Sequence, residues 1–231
     1  RQRQMCIRDR SYGGAIQIGR DEYNIYSNVV NCNFINNEAI AHNLNNSHGG
    51  AGCVRAGITY QNCKFINNSA DQGGALTYHA SGNIKDCFFI NNSAKLYGGA
   101  LSTGYIDMDM NLKVANCNFE QNNAPYGGAV QLKSKNIEIQ KPTFNKNVAS
   151  VNGGAVNIIA KTVTIDDVDF NKNIANVNGG AVYINGYKTT VVNSSFIANE
   201  AIPDVKKLDD GLGGAIYINS SAAGSYTHLT L

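Results

Sequence analysis

Short runs of alternating apolar and polar residues recur through the middle of the chain. After most Gly-Gly-Ala triplets, apolar residues flank a single residue, as Ile16 and Ile18 flank Gln17. A second run of this kind precedes each of seven phenylalanines. Alternation with a period of two is typical of a strand with one buried face, and no helical period of 3.6 residues accompanies it. The pattern therefore predicts an all-β chain of short strands.

Two motifs frame these runs and alternate along the chain. One is F-x-x-N-x-A and begins at Phe34, Phe65, Phe89, Phe119, Phe144, Phe170 and Phe196. The other is G-G-A followed by an apolar residue in most copies, and it begins at Gly13, Gly49, Gly73, Gly98, Gly127, Gly153, Gly179 and Gly213. Because one repeat of about 25 residues cannot bury its own apolar face, the repeats are expected to stack.

Stacking predicts a parallel β-solenoid of seven to eight coils, in which each strand pairs with its equivalent about 4.8 Å away in the next coil. We expect the phenylalanines to form a buried column. The glycine pair permits a turn with positive φ, and the alanine after it fits a tight corner. The asparagine of F-x-x-N tolerates the left-handed conformation, so an asparagine ladder is expected at a repeated corner.

The ends of the chain differ from the repeats. Residues 1–10 (RQRQMCIRDR) and 225–231 (SYTHLTL) resemble a translated sequencing-library adapter, because codons for Gln2 to Arg8 encode Ser225 to Leu231 when read as their reverse complement. We expect one β-helix unit over residues 11–224 between two non-native segments. Without residues 1–10, Lys and Arg fall from 19 to 15 and Asp and Glu from 17 to 16, which removes the support for nucleic-acid binding.

The repeats between residues 13 and 218 resemble those of the polymorphic outer membrane protein family and of adhesin-like surface proteins of bacteria and archaea. The resemblance implies a right-handed parallel β-helix of pectate-lyase-like architecture, displayed extracellularly at the cell surface or outer membrane and used in adhesion. It also implies contact with cell-surface protein or glycan ligands, and attachment to a membrane only through an anchor outside this sequence.

Departures from the regular spacing predict inserted loops. The step from phenylalanine to glycine pair is usually 8 or 9 residues, but it is 15 after Phe34 and 17 after Phe196. Insertions at residues 19–27 and 104–111 lengthen another corner. Because insertions in solenoids often form binding faces, we expect the loops from Ala41 to Ser47 and from Pro203 to Leu212 to contact a partner.

Four of the six cysteines occupy one repeat position, two residues before the phenylalanine: Cys32, Cys63, Cys87 and Cys117. We interpret them as stacked, buried free thiols. A straight column cannot surround zinc tetrahedrally, and in-register Cβ atoms lie too far apart for disulfides. Cys53 falls at an outward position, where we expect an exposed free thiol.

Histidines and sequons offer little evidence of a site. His42, His48 and His79 fall in loops or turns of two coils, and we expect ordinary solvent-facing side chains there. Asn-X-Ser sequons could accept glycans in an extracellular protein, although a chain rich in Asn and Ser gives them by chance. They begin at Asn45, Asn67, Asn91, Asn193 and Asn219.

Two acidic groups could bind calcium or act on a sugar. They are Asp166 with Asp167 and Asp169, and Asp107 with Asp109. However, Asp167 occupies the turn position that asparagine holds in other repeats, which accounts for its residue type. We therefore predict no catalytic, cofactor-binding or metal-binding residue, and calcium binding at the first group stays an alternative.

Three functional interpretations follow. The first is a non-enzymatic adhesin-like segment whose coils form a stalk and whose loops make contact. The second is a polysaccharide lyase or hydrolase on a β-helix, which would need a cluster of acids with basic residues along one strand face. The third is a purely structural spacer of a larger surface protein.

Overall fold

The computed structural model describes residues 12–19, 26–41, 46–103, 110–202 and 211–219. The regular elements of these residues are 25 strands, numbered here in chain order, and no helix. The strands form three sheets, all with parallel pairing between successive coils. The predicted all-β parallel solenoid is thus confirmed, whereas its right-handed sense stays a prediction.

The long sheet has twelve strands and carries the residues between the glycine pair and the turn before the phenylalanine. Where the step between these two motifs is 17 residues, one strand of 11 residues covers the whole stretch, and other steps split it. The strands are β1 (Ile16–Ile18), β2 (Tyr26–Val30), β4 (Gly52–Val54), β5 (Gly57–Gln61), β8 (Leu76–Tyr78), β9 (Gly82–Lys85), β12 (Leu101–Thr103), β13 (Asn111–Ala115), β16 (Val130–Gln140), β19 (Val156–Asp166), β22 (Val182–Val192) and β25 (Ile216–Asn219).

The other two sheets complete each coil. The phenylalanine sheet has seven strands: β3 (Asn33–Ile35), β6 (Lys64–Ile66), β10 (Phe88–Ile90), β14 (Asn118–Glu120), β17 (Thr143–Asn145), β20 (Asp169–Asn171) and β23 (Ser195–Ile197). The short-strand sheet has six, each of which leads toward the next glycine pair: β7 (Ser69–Gln72), β11 (Ser93–Tyr97), β15 (Asn123–Tyr126), β18 (Val148–Asn152), β21 (Ile174–Ala175) and β24 (Glu200–Ala201).

The described residues make about six turns, where the motif count predicts seven to eight. A turn is complete only when it contributes a strand to all three sheets, and the short-strand sheet has six strands. The first and last motif copies therefore belong to partial turns. The end segments, residues 1–10 and 225–231, lie outside the described residues.

The core consists of side-chain columns, one for each inward position of the repeat. Phenylalanine rings stack nearly parallel, with centroids 4.7 Å apart between Phe65 and Phe89 and 5.0 Å apart between Phe144 and Phe170. The five rings from Phe65 to Phe170 are buried. Each contributes about 2 to 3 kcal/mol relative to an exposed ring. The predicted phenylalanine column is confirmed.

An asparagine column occupies the corner after the phenylalanine sheet. The Asn92 side-chain Nδ2 donates to Asn122 Oδ1 and to the Phe65 carbonyl oxygen, both at 3.0 Å. The Asn92 backbone N–H donates to the same Asn122 Oδ1 at 2.9 Å. The same three bonds recur on successive coils from Asn68 to Asn173. The buried side-chain amides are therefore fully hydrogen-bonded.

The left-handed residue at this corner is the one before the ladder asparagine. φ is +52° at Asn91 and +55° at Gln121, whereas Asn92 and Asn122 are not among the positive-φ residues. The prediction that the F-x-x-N asparagine adopts this conformation is wrong. Its side chain must point along the buried column, so the preceding exposed residue makes the turn.

The two glycines of a pair meet different steric demands. Gly73 has φ of +59°, and a Cβ there would lie 2.1 Å from the Leu76 carbonyl oxygen of its own turn. At Gly74, φ is not positive, but a Cβ would lie 2.1 Å from the Gly99 carbonyl oxygen of the next coil. The first glycine is required for the turn and the second for close stacking of the coils.

Removing one ladder asparagine should destabilise the solenoid. In Asn122→Ala, the backbone and side-chain N–H groups of Asn92 lose their acceptor and the Phe89 carbonyl loses its donor. Because each buried group left unsatisfied costs about 1 to 3 kcal/mol, we expect the free energy of unfolding in urea to fall by about 3 kcal/mol. The exposed neighbour provides the control, since Asn123→Ala should change little. Equal losses in the two variants would contradict the role of the ladder.

Candidate functional site

The outer face of the long sheet is concave where the chain leaves the glycine turn. The Thr77 hydroxyl donates a hydrogen bond of 2.8 Å to the Gln72 carbonyl oxygen, across the turn made by Gly73 and Gly74. This bond joins the residue before the glycine pair to the second residue of the next strand. On the following coils, residues around the same corner line a groove with a volume of about 260 Å³.

Two rows of side chains form the walls of this groove. The turn row contains the residue directly before each glycine pair, and its members within the groove are Gln72, Tyr97, Tyr126 and Asn152. The strand row contains the outward residue four positions after the first glycine, namely Gln131, Asn157 and Tyr183. Both rows are held in register by parallel strand pairing, so each coil contributes one residue to each row.

The groove combines aromatic rings with amide groups. Tyr97 and Tyr126 are half-buried, and their ring centroids lie 5.7 Å apart. Asn157 is only 4% exposed, and its Oδ1 has no hydrogen-bond partner among the described residues. Among the described residues that line the groove, Lys133 alone carries a charge. Such a surface suits a ligand that has both apolar faces and hydroxyl groups.

No repeat pattern in the sequence predicts this groove. Its turn row varies in residue type, and the strand row was interpreted as the solvent-facing half of an alternating strand. The available signal was positional, because Tyr97 and Tyr126 both directly precede a glycine pair. This position does not belong to the apolar core, so packing does not fix its residue type. Tyrosine at this position on two successive coils was therefore a signal of a possible binding surface.

Cys53 is fully buried, and the prediction of an exposed thiol is wrong. Cys53 pairs in register with Thr77, and Thr77 pairs with Ser102, which places all three at the strand-row position. Thr77 and Ser102 are buried as well. Side chains at this position point away from the core but into the concave corner, where the preceding turn covers them.

The cysteines before the phenylalanines form the predicted column of free thiols. Cys63, Cys87 and Cys117 are buried and Cys32 is half-buried. Burial raises the pKa of the Cys63 thiol to about 11. Its Sγ donates to the Gln61 carbonyl oxygen at 3.3 Å, as a weak thiol donor does. The prediction of stacked buried free thiols is confirmed for Cys63, Cys87 and Cys117, whereas Cys32 on the first coil is buried only in part.

His48 and His79 pack against each other instead of facing solvent. They lie on neighbouring coils with ring centroids 5.2 Å apart, and both are half-buried. His48 also stacks on Tyr12 at 5.1 Å, with the Arg55 guanidinium 4.7 Å above the Tyr12 ring. The solvent-facing prediction is therefore wrong for this pair, because His48 belongs to the turn row. His42 lies outside the described residues.

The pKa of His48 is lowered from its ordinary value. Burial is the main cause, since it disfavours the charged imidazolium. The positive charge of Arg55 lowers the pKa further, while the carboxylate of Asp71 opposes both effects. Although burial alone would raise the pKa of Asp71, hydrogen bonds from the Ser47 backbone and from Lys95 hold it below its ordinary value.

The aspartates near the phenylalanine sheet have separate partners. Asp166 accepts a hydrogen bond from Asn193 at 3.0 Å, and Asp169 accepts one from Ser195 at 2.5 Å. Asp167 occupies the predicted turn, where its φ is +57°. Its Oδ2 lies 4.0 Å from Lys141 Nζ. Within the described ranges, no three His, Cys, Asp or Glu residues are grouped so that they could hold a metal ion. Asp107 and Asp109 lie outside those ranges.

Most of the predicted contact loops also lies outside the described residues. Residues 42–45 of the first loop, 203–210 of the second, and the insertions at 20–25 and 104–109 are not described. Ser47, at the end of the first loop, is buried, and its backbone N–H donates to the Asp71 carboxylate at 2.9 Å. The described sequon asparagines are exposed: Asn67, Asn91, Asn193 and Asn219. Asn45 is not described.

Two stretches, residues 86–104 and 167–185, match the family model described as Chlamydia polymorphic membrane protein (Chlamydia_PMP) repeat. Each match runs from the turn before a phenylalanine strand to the strand after the next glycine pair. Comparison with curated proteins and with solved structures gives no match. Fold and matches together define a β-solenoid repeat protein with repeats like those of the polymorphic membrane proteins.

Among the residues that the structure describes, none forms a helix long and apolar enough to span a membrane.

Thiol labelling should distinguish Cys53 from Cys32. In a Cys6→Ser background, we expect Cys32 to react first with a maleimide and Cys53 to react only upon unfolding, because its Sγ is sealed beneath the glycine corner. Mass spectrometry of timed digests measures both rates. Labelling of Cys53 in the native protein as fast as that of Cys32 would contradict its burial.

His48 should make the protein less stable in mild acid. Because its folded pKa lies below 6.5, the unfolded chain binds the proton more readily. Well above pH 6.5, His48 is neutral in both states and does not affect the free energy of unfolding. This free energy falls as the pH drops through 6.5, and the loss becomes constant below the pKa of His48 in the folded protein. Urea unfolding between pH 8 and pH 5 should show a shallower pH dependence for His48→Gln. An unchanged dependence would contradict this assignment.

Proposed function

We propose that this chain is a non-enzymatic, adhesin-like segment of a cell-surface protein. Its coils form a rigid stalk, and the loops at residues 41–47 and 203–212 contact a protein or glycan on another cell or a host. The observation that carries the proposal is a regular parallel solenoid with two matches to the polymorphic membrane protein repeat. The surface location belongs to the same proposal, because that repeat is described from membrane proteins.

The contacts between coils support the role of a stalk. Each coil is joined to the next through three parallel sheets, the phenylalanine stack and the asparagine ladder. These interactions run along the solenoid axis and connect nearest neighbours, as in other repeat proteins. Such a rod can hold its loops at a distance from a membrane without a second domain for support.

The environment of the acidic residues supports a structural over an enzymatic role. Asn193 and Ser195, which bind Asp166 and Asp169, lie on the neighbouring coil. These carboxylates therefore join coils in the same way as the asparagine ladder does. A hydrolase site would instead require two carboxyl groups that face each other across the scissile bond. A lyase site would require acids clustered with basic residues along one strand face.

Exchange of the two loops tests the proposed contacts. Replacement of residues 42–45 and 203–210 by short Gly-containing turns should abolish adhesion of the displayed chain to host cells. Far-ultraviolet circular dichroism should retain the β signal, because the exchanged residues lie between strands of the solenoid. Unchanged adhesion would contradict the assignment of the loops.

Two further measurements separate the alternative functions. Adhesion by the isolated chain supports the adhesin, whereas a spacer would not adhere without the remaining protein. Release of oligosaccharides from pectin-like or host polysaccharides, lost in Asp166→Asn or Asp167→Asn, would instead support the lyase or hydrolase.

A further inference from the structure

We propose that the groove between the turn row and the strand row binds an extended oligosaccharide. This site lies in the coils and is distinct from the loops assigned to adhesion. It rests on the proposed function only because a glycan ligand would be met outside the cell. Binding itself is a property of the purified chain and can be measured independently of adhesion.

The spacing of the groove fits a polymer with a short repeat. The turn row from Gln72 to Asn152 crosses four successive coils, each about 4.8 Å from the next. This distance is close to the length of one pyranose unit in an extended sugar chain. Successive sugars can therefore meet successive coils with the same geometry, which a ligand without a repeat cannot do.

The side chains provide the two kinds of contact that a sugar requires. Tyr97 and Tyr126 contribute half-buried aromatic rings to one wall, and Tyr183 contributes a ring to the other. The negative face of an aromatic ring attracts the polarised C–H groups on the flat face of a pyranose. Tyr183 is held in place by stacking on Tyr217, with ring centroids 5.3 Å apart.

The amide groups supply the hydrogen bonds. Gln131 and Asn157 are buried in the strand row, and Asn152 stands opposite them in the turn row. Asn157 Oδ1 is buried in the wall without a donor among the described residues, and unlike the unpaired Oδ1 atoms of Asn118, Asn145 and Asn171 it belongs to the groove lining. Buried amide oxygens are nearly always paired, and a sugar hydroxyl would provide the missing donor.

Other ligand classes fit less well. The strands beneath the groove already pair on both sides, as β19 does with β16 and β22, so the groove offers no open edge to an extended peptide. Within the part of the lining that the structure describes, Lys133 is the only charged residue, whereas single-stranded nucleic acid requires a basic groove. The single cation leaves both neutral and acidic sugars as candidates, and the experiment separates them.

Isothermal titration calorimetry with four hexasaccharides tests the proposal. Cellohexaose, xylohexaose and chitohexaose are neutral, and hexagalacturonate is acidic. We expect millimolar or tighter binding of at least one, and a preference for hexagalacturonate that disappears in Lys133→Gln would identify the acidic class. Absence of binding to all four at millimolar concentration would overturn the proposal.

Matched variants locate the binding site. Tyr126→Ala should weaken binding by roughly three- to ten-fold, as expected for the loss of one aromatic contact, whereas Tyr126→Phe should retain it. Tyr187→Ala is the control, since Tyr187 is 65% exposed on the same sheet but outside the groove lining. Equal loss in Tyr126→Ala and Tyr187→Ala would overturn the site.

Asn157→Leu separates binding from folding. It removes the unpaired oxygen, so we expect weaker sugar binding without a lower urea midpoint. Unchanged sugar binding in this variant would contradict the role of Asn157 Oδ1.

Comparison with the loop exchange distinguishes this proposal from the proposed function. The loop-exchanged chain should bind the hexasaccharide as the unmodified chain does, even if it no longer adheres to cells. If the loop exchange abolishes sugar binding, the groove proposal is overturned while adhesion through the loops stands. If Tyr126→Ala abolishes adhesion and the loop exchange does not, the groove is supported and the loop assignment fails.

Discussion

Parallel pairing of identical positions on successive coils is the constraint on which the rest of this structure depends. It places each residue about 4.8 Å from its equivalent, a distance that suits stacked phenylalanine rings and asparagine amides. The observed centroid spacings of 4.7 to 5.0 Å in the phenylalanine column agree with it. The second glycine of each pair from Gly14 to Gly180 follows from the same constraint, because any side chain there would collide with the next coil.

The same register separates positions that build the coil from positions that can carry function. Inward positions and the asparagine ladder repeat in residue type because each must match its neighbours above and below. The turn row and the strand row share this backbone, but their side chains face a groove and are free to vary. The tyrosine and amide side chains of the two rows therefore form the groove surface, while the backbone of the coils stays the same. A substitution in either row does not alter the phenylalanine column or the asparagine ladder.

Much of the fold could be predicted because the repeat supplies many copies of each signal. The period-two runs predicted the strands, and the fixed distance between motifs predicted parallel stacking and the columns of phenylalanine and cysteine. The turn role of Asp167 also followed from its equivalence to asparagines in other repeats. The candidate site was not predictable in the same way, since alternation distinguishes inward from outward residues but not a convex outer face from a concave one. Cys53 and His48 were misassigned for that reason.

The sequence by itself determined that this protein is a stack of parallel β-coils, because a motif repeated in register has few other ways to bury its apolar face. It also determined which side chains fill the core. Only the tertiary structure decided where the chain is concave, since that depends on how the glycine turn folds one strand back over the next. The groove, the burial of Cys53 and the pairing of His48 with His79 all result from that corner, and none of them is encoded by spacing alone.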